Sequence, residues 1–193
     1  MSRESAVVIL AAGASRRLGT PKQLLPYRGA TLLAHAARTA LDADLGQVFV
    51  VLGAEAARCR QALGDLDVRI VEHPEWSRGM GSSIAAGVRA ASAETSEAIL
   101  LMTCDQPGVT AAHLRALDAA RRRPASDGAG SGYGGIVGTP AIFGRHLVPA
   151  LLALPPHAGA RTLLADPRYR VVEVQCPACG LDIDTAEEAA GLD

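Results

Sequence analysis

Ala6–Leu10 (AVVIL) is apolar at every position and mostly β-branched, and runs of similar kind recur at Val48–Leu52, Val68–Val71, Ala98–Met102 and Val171–Val174. A strand with one face in water alternates apolar and polar residues. A continuous apolar run therefore marks a strand covered on both faces, the condition of a parallel sheet. The intervals carry helical spacing instead: Leu32 to Leu41, Glu55 to Leu63, Ser83 to Ala91 and Ala111 to Arg122. Thr110 is placed to cap the last of these and Pro124 to stop it. Strand and helix alternate four times, which predicts an α/β fold with right-handed crossovers. Pro124–Gly135 (PASDGAGSGYGG) reads as a mobile loop. Beyond it come a short strand near Ile136–Phe143, two short helices and the last strand. With 193 residues, no internal repeat and no linker, one domain over residues 1–193 is expected.

The charge balance limits what such a domain can bind. Lys and Arg number 19 against 20 Asp and Glu, a formal net charge of −1, whereas bulk binding to nucleic acid calls for a strongly basic balance. Phe, Trp and Tyr together make up 3% of the chain, too few for a base-stacking platform. No run of about 18 apolar residues occurs, so no membrane span is expected. The start imitates a secretory leader, with AVVILAAGA ending in Ala12-Gly13-Ala14. Glu4 beside Arg3, and Arg16 and Arg17 straight after the short apolar run, argue against that reading. A cytoplasmic protein is expected. On that footing Cys59, Cys104, Cys176 and Cys179 read as unpaired thiols, with a redox or metal role as the alternative for Cys176 and Cys179.

Any polyanion must be met locally, and the means are concentrated in Leu10–Leu25 (LAAGASRRLGTPKQLL). The first strand delivers the backbone of Leu10, Ala11, Ala12 and Gly13, where small side chains let a ligand approach the main chain. Ser15, Arg16, Arg17 and Lys22 follow. Backbone N–H groups beside such cations suit a triphosphate, and the carboxyl end of a first α/β strand is where such sheets bind ligands. This is not a Walker A loop, because Thr20 and Pro21 separate Gly19 from Lys22. Nor is it the dinucleotide fingerprint, because the glycines fall at 13 and 19.

Other segments place polar groups at element ends. Gly79, Gly81, Ser82 and Ser83 open a helix within His73–Val88. An anion gains about 0.3–1 kcal/mol at such a terminus; alternatively, Ser82 or Ser83 is simply its N-cap. Asp105 ends the hydrophobic run that starts at Ile99, a position suited to holding a divalent cation beside phosphates or to beginning a turn. Asp182 and Asp184 alternate with Leu181 and Ile183 and so share one side of an extended segment, as metal ligands or as a solvated face.

The pattern L-A-A-G-x-S-x-R-x-G-x-P-K-x-L-L resembles the signature of the nucleotidyltransferases, most closely the molybdenum cofactor cytidylyltransferases and related MobA-like NTP transferases. Ser15, Arg17, Gly19, Pro21 and Lys22 fall on motif positions, and Leu18 stands where Met is commonest. Gly79-Met80-Gly81-Ser82-Ser83 after Trp76, Asp105 before Gln106-Pro107, and Asp182-Ile183-Asp184-Thr185 extend the resemblance over essentially the full length. It implies a three-layer, Rossmann-like fold of the glycosyltransferase-A type with a mainly parallel central sheet. The Ala-Ala-Gly variant implies CTP rather than GTP. By the same resemblance Lys22 and Arg17 act on the phosphates, and Leu10–Gly13 with Ser15 and Arg16 surround the nucleotide. Gly79, Gly81, Ser82 and Ser83 would shape the base and ribose pocket, with Asp105 and Asp184 on Mg2+. The implied acceptor is a phosphorylated pterin-type cofactor, and an implied partner is a molybdoenzyme of the xanthine dehydrogenase type.

Two departures fall in segments thought to face the acceptor. Gly138-Thr139-Pro140 stands where Gly-His-Pro or Gly-Asn-Pro is common, and Pro156-His157-Ala158-Gly159-Ala160-Arg161 where Gly-Asp-x-Gly-Ala-Arg is. The alternatives are a relative using GTP or another phosphorylated acceptor, and a non-catalytic cofactor-binding accessory of a molybdoenzyme. The implied reaction is attack of an acceptor phosphate oxygen on the α-phosphorus of CTP. That oxygen is already deprotonated near neutrality, which agrees with the lack of a Ser-His-Asp or Cys-His array. Alignment can then supply ~7–11 kcal/mol, more than the ~2.7–4 kcal/mol of one electrostatic donor.

Overall fold

The computed structural model describes residues 4–15, 18–94, 97–183 and 188. In chain order its elements are β1 (Ser5–Ala11), the two-residue strands β2 (Pro26–Tyr27) and β3 (Ala30–Thr31), α1 (Leu32–Ala43), β4 (Val48–Leu52), α2 (Ala56–Leu63), β5 (Arg69–Glu72), α3 (Met80–Ser92), β6 (Ala98–Thr103), α4 (Ala111–Arg121), β7 (Gly128–Tyr133), β8 (Ile136–Gly144), α5 (Val148–Leu152), α6 (Arg161–Leu164) and β9 (Val171–Gln175). Seven strands form one sheet in the order β5-β4-β1-β6-β8-β7-β9. From β5 to β6 all pairings are parallel. β8 runs against both its neighbours, and β7 pairs parallel with β9. The sheet is mainly parallel, as the apolar runs predict.

Every residue of β1 is buried, and the pleat sends alternate side chains to opposite faces. Val7, Ile9 and Ala11 join a core with α1, α2 and α4. Ala6, Val8 and Leu10 join a second core with α3, α5 and α6. Three layers result. Full burial of one side chain such as Ile9 contributes about 1.5–3 kcal/mol, so β1 anchors both cores at once. Thr110 caps α4 as expected, its side chain accepting from the His113 N–H.

Three expectations are corrected. Pro124–Gly135 is not a mobile loop throughout, because Gly128–Tyr133 is β7, hydrogen-bonded on both sides. Glycine disfavours strands, but tertiary pairing overrides that here. A Cβ on Gly128 would lie 2.6 Å from the Ile142 carbonyl oxygen, and one on Gly130 would lie 2.5 Å from Val137. The β7–β8 hairpin turns through Gly134 and Gly135 at φ 54° and 76°, the left-handed pair that a two-residue hairpin requires. Second, α3 starts at Met80 with Gly79 at its cap position, so neither Ser82 nor Ser83 is the N-cap. Third, Cys176 and Cys179 form a disulfide, while Cys59 and Cys104 are free and buried. Among the described residues no helix is long and apolar enough to cross a membrane.

Candidate active site

The parallel strands open at one end, and two adjoining cavities of about 280 and 260 Å3 lie there, sharing Leu10, Met80 and Thr103. Each falls just short of the roughly 300–1,000 Å3 typical of small-ligand sites, and together they lie within it. The first is floored by Leu10–Gly13, Lys22 and Gln23 together with Thr103–Asp105, and walled by Trp76, Ser77, Gly79, Met80 and Ser83. A Cβ on Gly13 would meet nothing within 4 Å. Packing does not demand a glycine there, which leaves its backbone open to a ligand.

Lys22 crosses this cavity to form an ion pair with Asp105 Oδ2. The carboxylate is brought there by the apolar register of β6 against β1. The lysine is brought by the loop after β1, which Ser15 and Gln23 organise. Ser15, in the left-handed region at φ 48°, accepts the Lys22 backbone N–H at 3.0 Å. Gln23 is 1% exposed, and its Nε2 donates to the Ala11 carbonyl at 3.0 Å and the Gly13 carbonyl at 2.6 Å. Ser15 Oγ also donates to Gln23 Oε1 at 3.4 Å. Ser15 is thus engaged inside the loop, and it is absent from the cavity lining.

The start of α3 divides the residues expected there. Gly79 and Ser83 line the first cavity; Gly81 and Ser82 do not. The Gly81 N–H donates to the Pro156 carbonyl at 2.8 Å. A Cβ on Gly81 would lie 2.1 Å from the Pro155 carbonyl oxygen, and one on Gly79 would lie 2.5 Å from that of Pro156. These glycines therefore serve the packing of α3 on the segment before α6. Ser82 Oγ donates to the Gly79 carbonyl at 2.7 Å. It can accept only from a protonated His73 Nε2, 2.9 Å away. Burial holds the His73 pKa below its ordinary value.

The second cavity is lined by Tyr133, Ile136, Gly138, Thr139, Gly159, Ala160, Arg161 and Asp182. All of these but Asp182 belong to the β7–β8 hairpin and the segment entering α6, the two regions where the sequence departs from the resembled pattern. Tyr133 donates to the Thr139 carbonyl at 3.0 Å. Burial pushes its phenol upward, against hydrogen bonds with Gln106 and Thr139. Gln106 joins the two halves, its Nε2 donating to the Thr139 carbonyl at 3.1 Å and the Cys179 carbonyl at 2.8 Å.

Sequence reasoning missed Gln23, Trp76, Thr103, Gln106 and Tyr133. For the two glutamines a signal existed only in their place beside Lys22 and Asp105. Arg16, Arg17 and Asp184 lie outside the described residues. Asp105 itself carries a distinctive feature. It is 9% exposed, and its Oδ1 is buried without a hydrogen-bond partner among the described residues. An orphaned carboxylate oxygen is costly unless something positive meets it, and an oxygen donor beside a cavity fits a hard divalent cation. The residues present fit magnesium in that respect.

A family model described as a MobA-like NTP transferase domain matches residues 7–173. Nicotine blue oxidoreductase of Paenarthrobacter nicotinovorans is 40% identical over 192 residues, covering 94% of this chain and 92% of that protein. Purine catabolism protein PucB of Bacillus subtilis is 32% identical over the same span, with the same coverage. Among solved structures, Rv0371c of Mycobacterium tuberculosis in complex with manganese superposes with a TM-score of 0.80 at 30% identity, covering 98% of this chain and 97% of that one.

Proposed function

The chain belongs to the MobA-like NTP transferase family, and from that premise we propose that it is a cytidylyltransferase of the cytoplasm. It would transfer CMP from CTP to the terminal phosphate of a pterin-type cofactor and release pyrophosphate. The observation that carries this reading is Asp105. It is a buried carboxylate with one oxygen on the Lys22 ammonium and the other unpartnered among the described residues, at the floor of a cavity lined by strand-end backbone. The loop cations and the Ala11-Ala12-Gly13 backbone support a triphosphate donor, and the Ala-Ala-Gly pattern supports cytosine. The neighbouring cavity with Arg161 supports an anionic acceptor.

On this reading the chain's own work is positioning and charge compensation. The backbone of Leu10–Gly13 receives the nucleotide closely, and Lys22 turns from Asp105 toward the phosphates as they enter. Arg17 adds a second cation from the same loop. Magnesium, held by Asp105 and Asp184, would screen the charge that develops on the phosphates. Arg161 orients the acceptor phosphate, which brings its own deprotonated oxygen and so needs no base. A molybdoenzyme of the xanthine dehydrogenase type is the proposed recipient of the product.

The test is pyrophosphate release with magnesium and a molybdopterin-type acceptor across CTP, GTP, ATP and UTP. Preference for CTP supports the proposal, and preference for GTP replaces its donor. Absence of pyrophosphate with every donor overturns it. The same readout separates it from a redox activity such as the name of the Paenarthrobacter relative describes, which releases none.

A further inference from the structure

Away from the Lys22–Asp105 pair, the ligating atoms of His113, Cys176 and Cys179 all lie within 4.8 Å of one another. They come from three places: the first turn of α4, the end of β9, and the 3-10 turn Pro177–Gly180 that follows it. Cys179 is fully buried and Cys176 is 8% exposed, while His113 is partly exposed. The two cysteines are joined as a disulfide with Cα atoms 5.3 Å apart. We propose that the reduced pair, Cys176 and Cys179, forms with His113 a second metal site, for a thiolate-preferring divalent cation such as zinc.

The geometry asks for little movement. Zinc–sulfur bonds of about 2.3 Å in a tetrahedral site put two thiolates roughly 3.8 Å apart, and the imidazole already stands within 4.8 Å of both sulfurs. The spacing Cys-x-x-Cys lets one short turn chelate a single ion. Ser131 supplies the outer contact that metal-bound histidines use. Its Oγ donates to the Pro140 carbonyl at 2.6 Å, so toward His113 Nε2, 2.8 Å away, it acts as acceptor. Nε2 therefore carries the proton and Nδ1 keeps its lone pair. A dithiol reductant supplies the two electrons and two protons that open the disulfide. The metal then displaces one proton from each thiol, and a fourth position remains for water on the partly exposed His113 side.

The site would be braced against the Asp105 turn. The Cys179 carbonyl receives Gln106 Nε2, and the Ile183 N–H donates to the Asp105 carbonyl at 3.0 Å. A Cβ on Gly108 would lie 2.3 Å from the Ala178 carbonyl oxygen. Metal binding would thus fix the chain that leads from Cys179 to Asp182.

The test uses the full chain reduced with dithiothreitol, freed of reductant and metal without oxygen, and shown to hold 4 thiols in denaturant. Cobalt titration is expected to give one equivalent with the thiolate charge-transfer band and tetrahedral d–d absorption, displaced by zinc. The band should survive Asp105→Ala and vanish in Cys179→Ser, in His113→Ala and in the oxidised wild type, a folded control that needs no mutation. Ser131→Ala should weaken cobalt binding by roughly 10–100-fold. A fully reduced wild type without the band at stoichiometric cobalt overturns the proposal, as does a band that persists in His113→Ala or in the oxidised protein.

Discussion

Lys22 and Asp105 stand 83 residues apart in the chain and meet as a partly buried ion pair, ammonium against Oδ2, across the floor of the cavity at the end of β1. Among the described residues the other carboxylate oxygen has no partner. The pair brings the cation of the loop after β1 to the end of β6, and it leaves one acceptor unused where a ligand can enter.

Replacing Asp105 by Ala is expected to lower transfer at least 100-fold, on the scale of losing one strong electrostatic group. The circular dichroism spectrum should stay that of the wild type. A turnover close to wild type at saturating magnesium would sink the role assigned to Asp105.

Lys22→Ala removes the cation and leaves Asp105 charged and largely buried, a change that typically costs about 3–5 kcal/mol for a fully buried pair and less at this exposure. Single-turnover kinetics should fall by orders of magnitude, while magnesium affinity rises because Oδ2 is freed. Unchanged single-turnover rates would count against Lys22.

Gln23→Leu strips two strand-end carbonyls of their donor. Each unsatisfied group costs about 1–3 kcal/mol, and a chain of this size loses roughly 2–4 °C of Tm for each kcal/mol. Thermal unfolding should register several degrees, and the KM for nucleotide should rise. A variant with unchanged Tm and KM would show that water replaces the amide at no cost.

Asp118 is expected to contribute to acid stability. Burial alone would raise its carboxyl, but hydrogen bonds from Arg122 and Ser5, with Arg121 close by, hold it below the ordinary value. A carboxyl depressed by folding adds stability above its unfolded value of about 3.9. That stability is lost as pH falls through the folded value. Urea midpoints between neutral pH and about pH 3 should fall more steeply in wild type than in Asp118→Asn. Parallel profiles would assign the acid limb to other groups.

Gly81→Ala places a methyl against the Pro155 carbonyl oxygen and should cost about 1–3 kcal/mol by overpacking. If the segment before α6 yields, acceptor KM should change more than nucleotide KM. Equal effects on both would show that α3 moves instead.

Legibility in the sequence followed the strength of local signals. Continuous apolar runs and helical spacing located β1, β4, β6 and the first four helices, since those patterns follow directly from two-sided and one-sided burial. β7 was hidden because glycine carries no apolar signal; its strand exists only through pairing with β8 and β9. Lys22 and Asp105 could be read from charge at strand ends. Gln23 and Gln106 could be read only as neighbours of that pair, because an amide does not announce which carbonyls it will reach. The serines at the start of α3 misled for a related reason. A free helix terminus can be inferred from sequence, but the Pro156 carbonyl that occupies the Gly81 N–H comes from 75 residues downstream.

The reversed direction of β8 has a consequence for how such a chain can diversify. Because β8 runs against β6, it presents its beginning, and the hairpin before it, at the same edge where β1 and β6 present their ends. One rim is thus assembled from two separately encoded pieces, the crossover loops of the first half and the hairpin with the α6 entrance of the second. Drift in residues 133–139 or 156–161 can reshape one compartment while the loop around Lys22 stays as it is. Such a layout lets a lineage remodel one compartment and inherit the other intact.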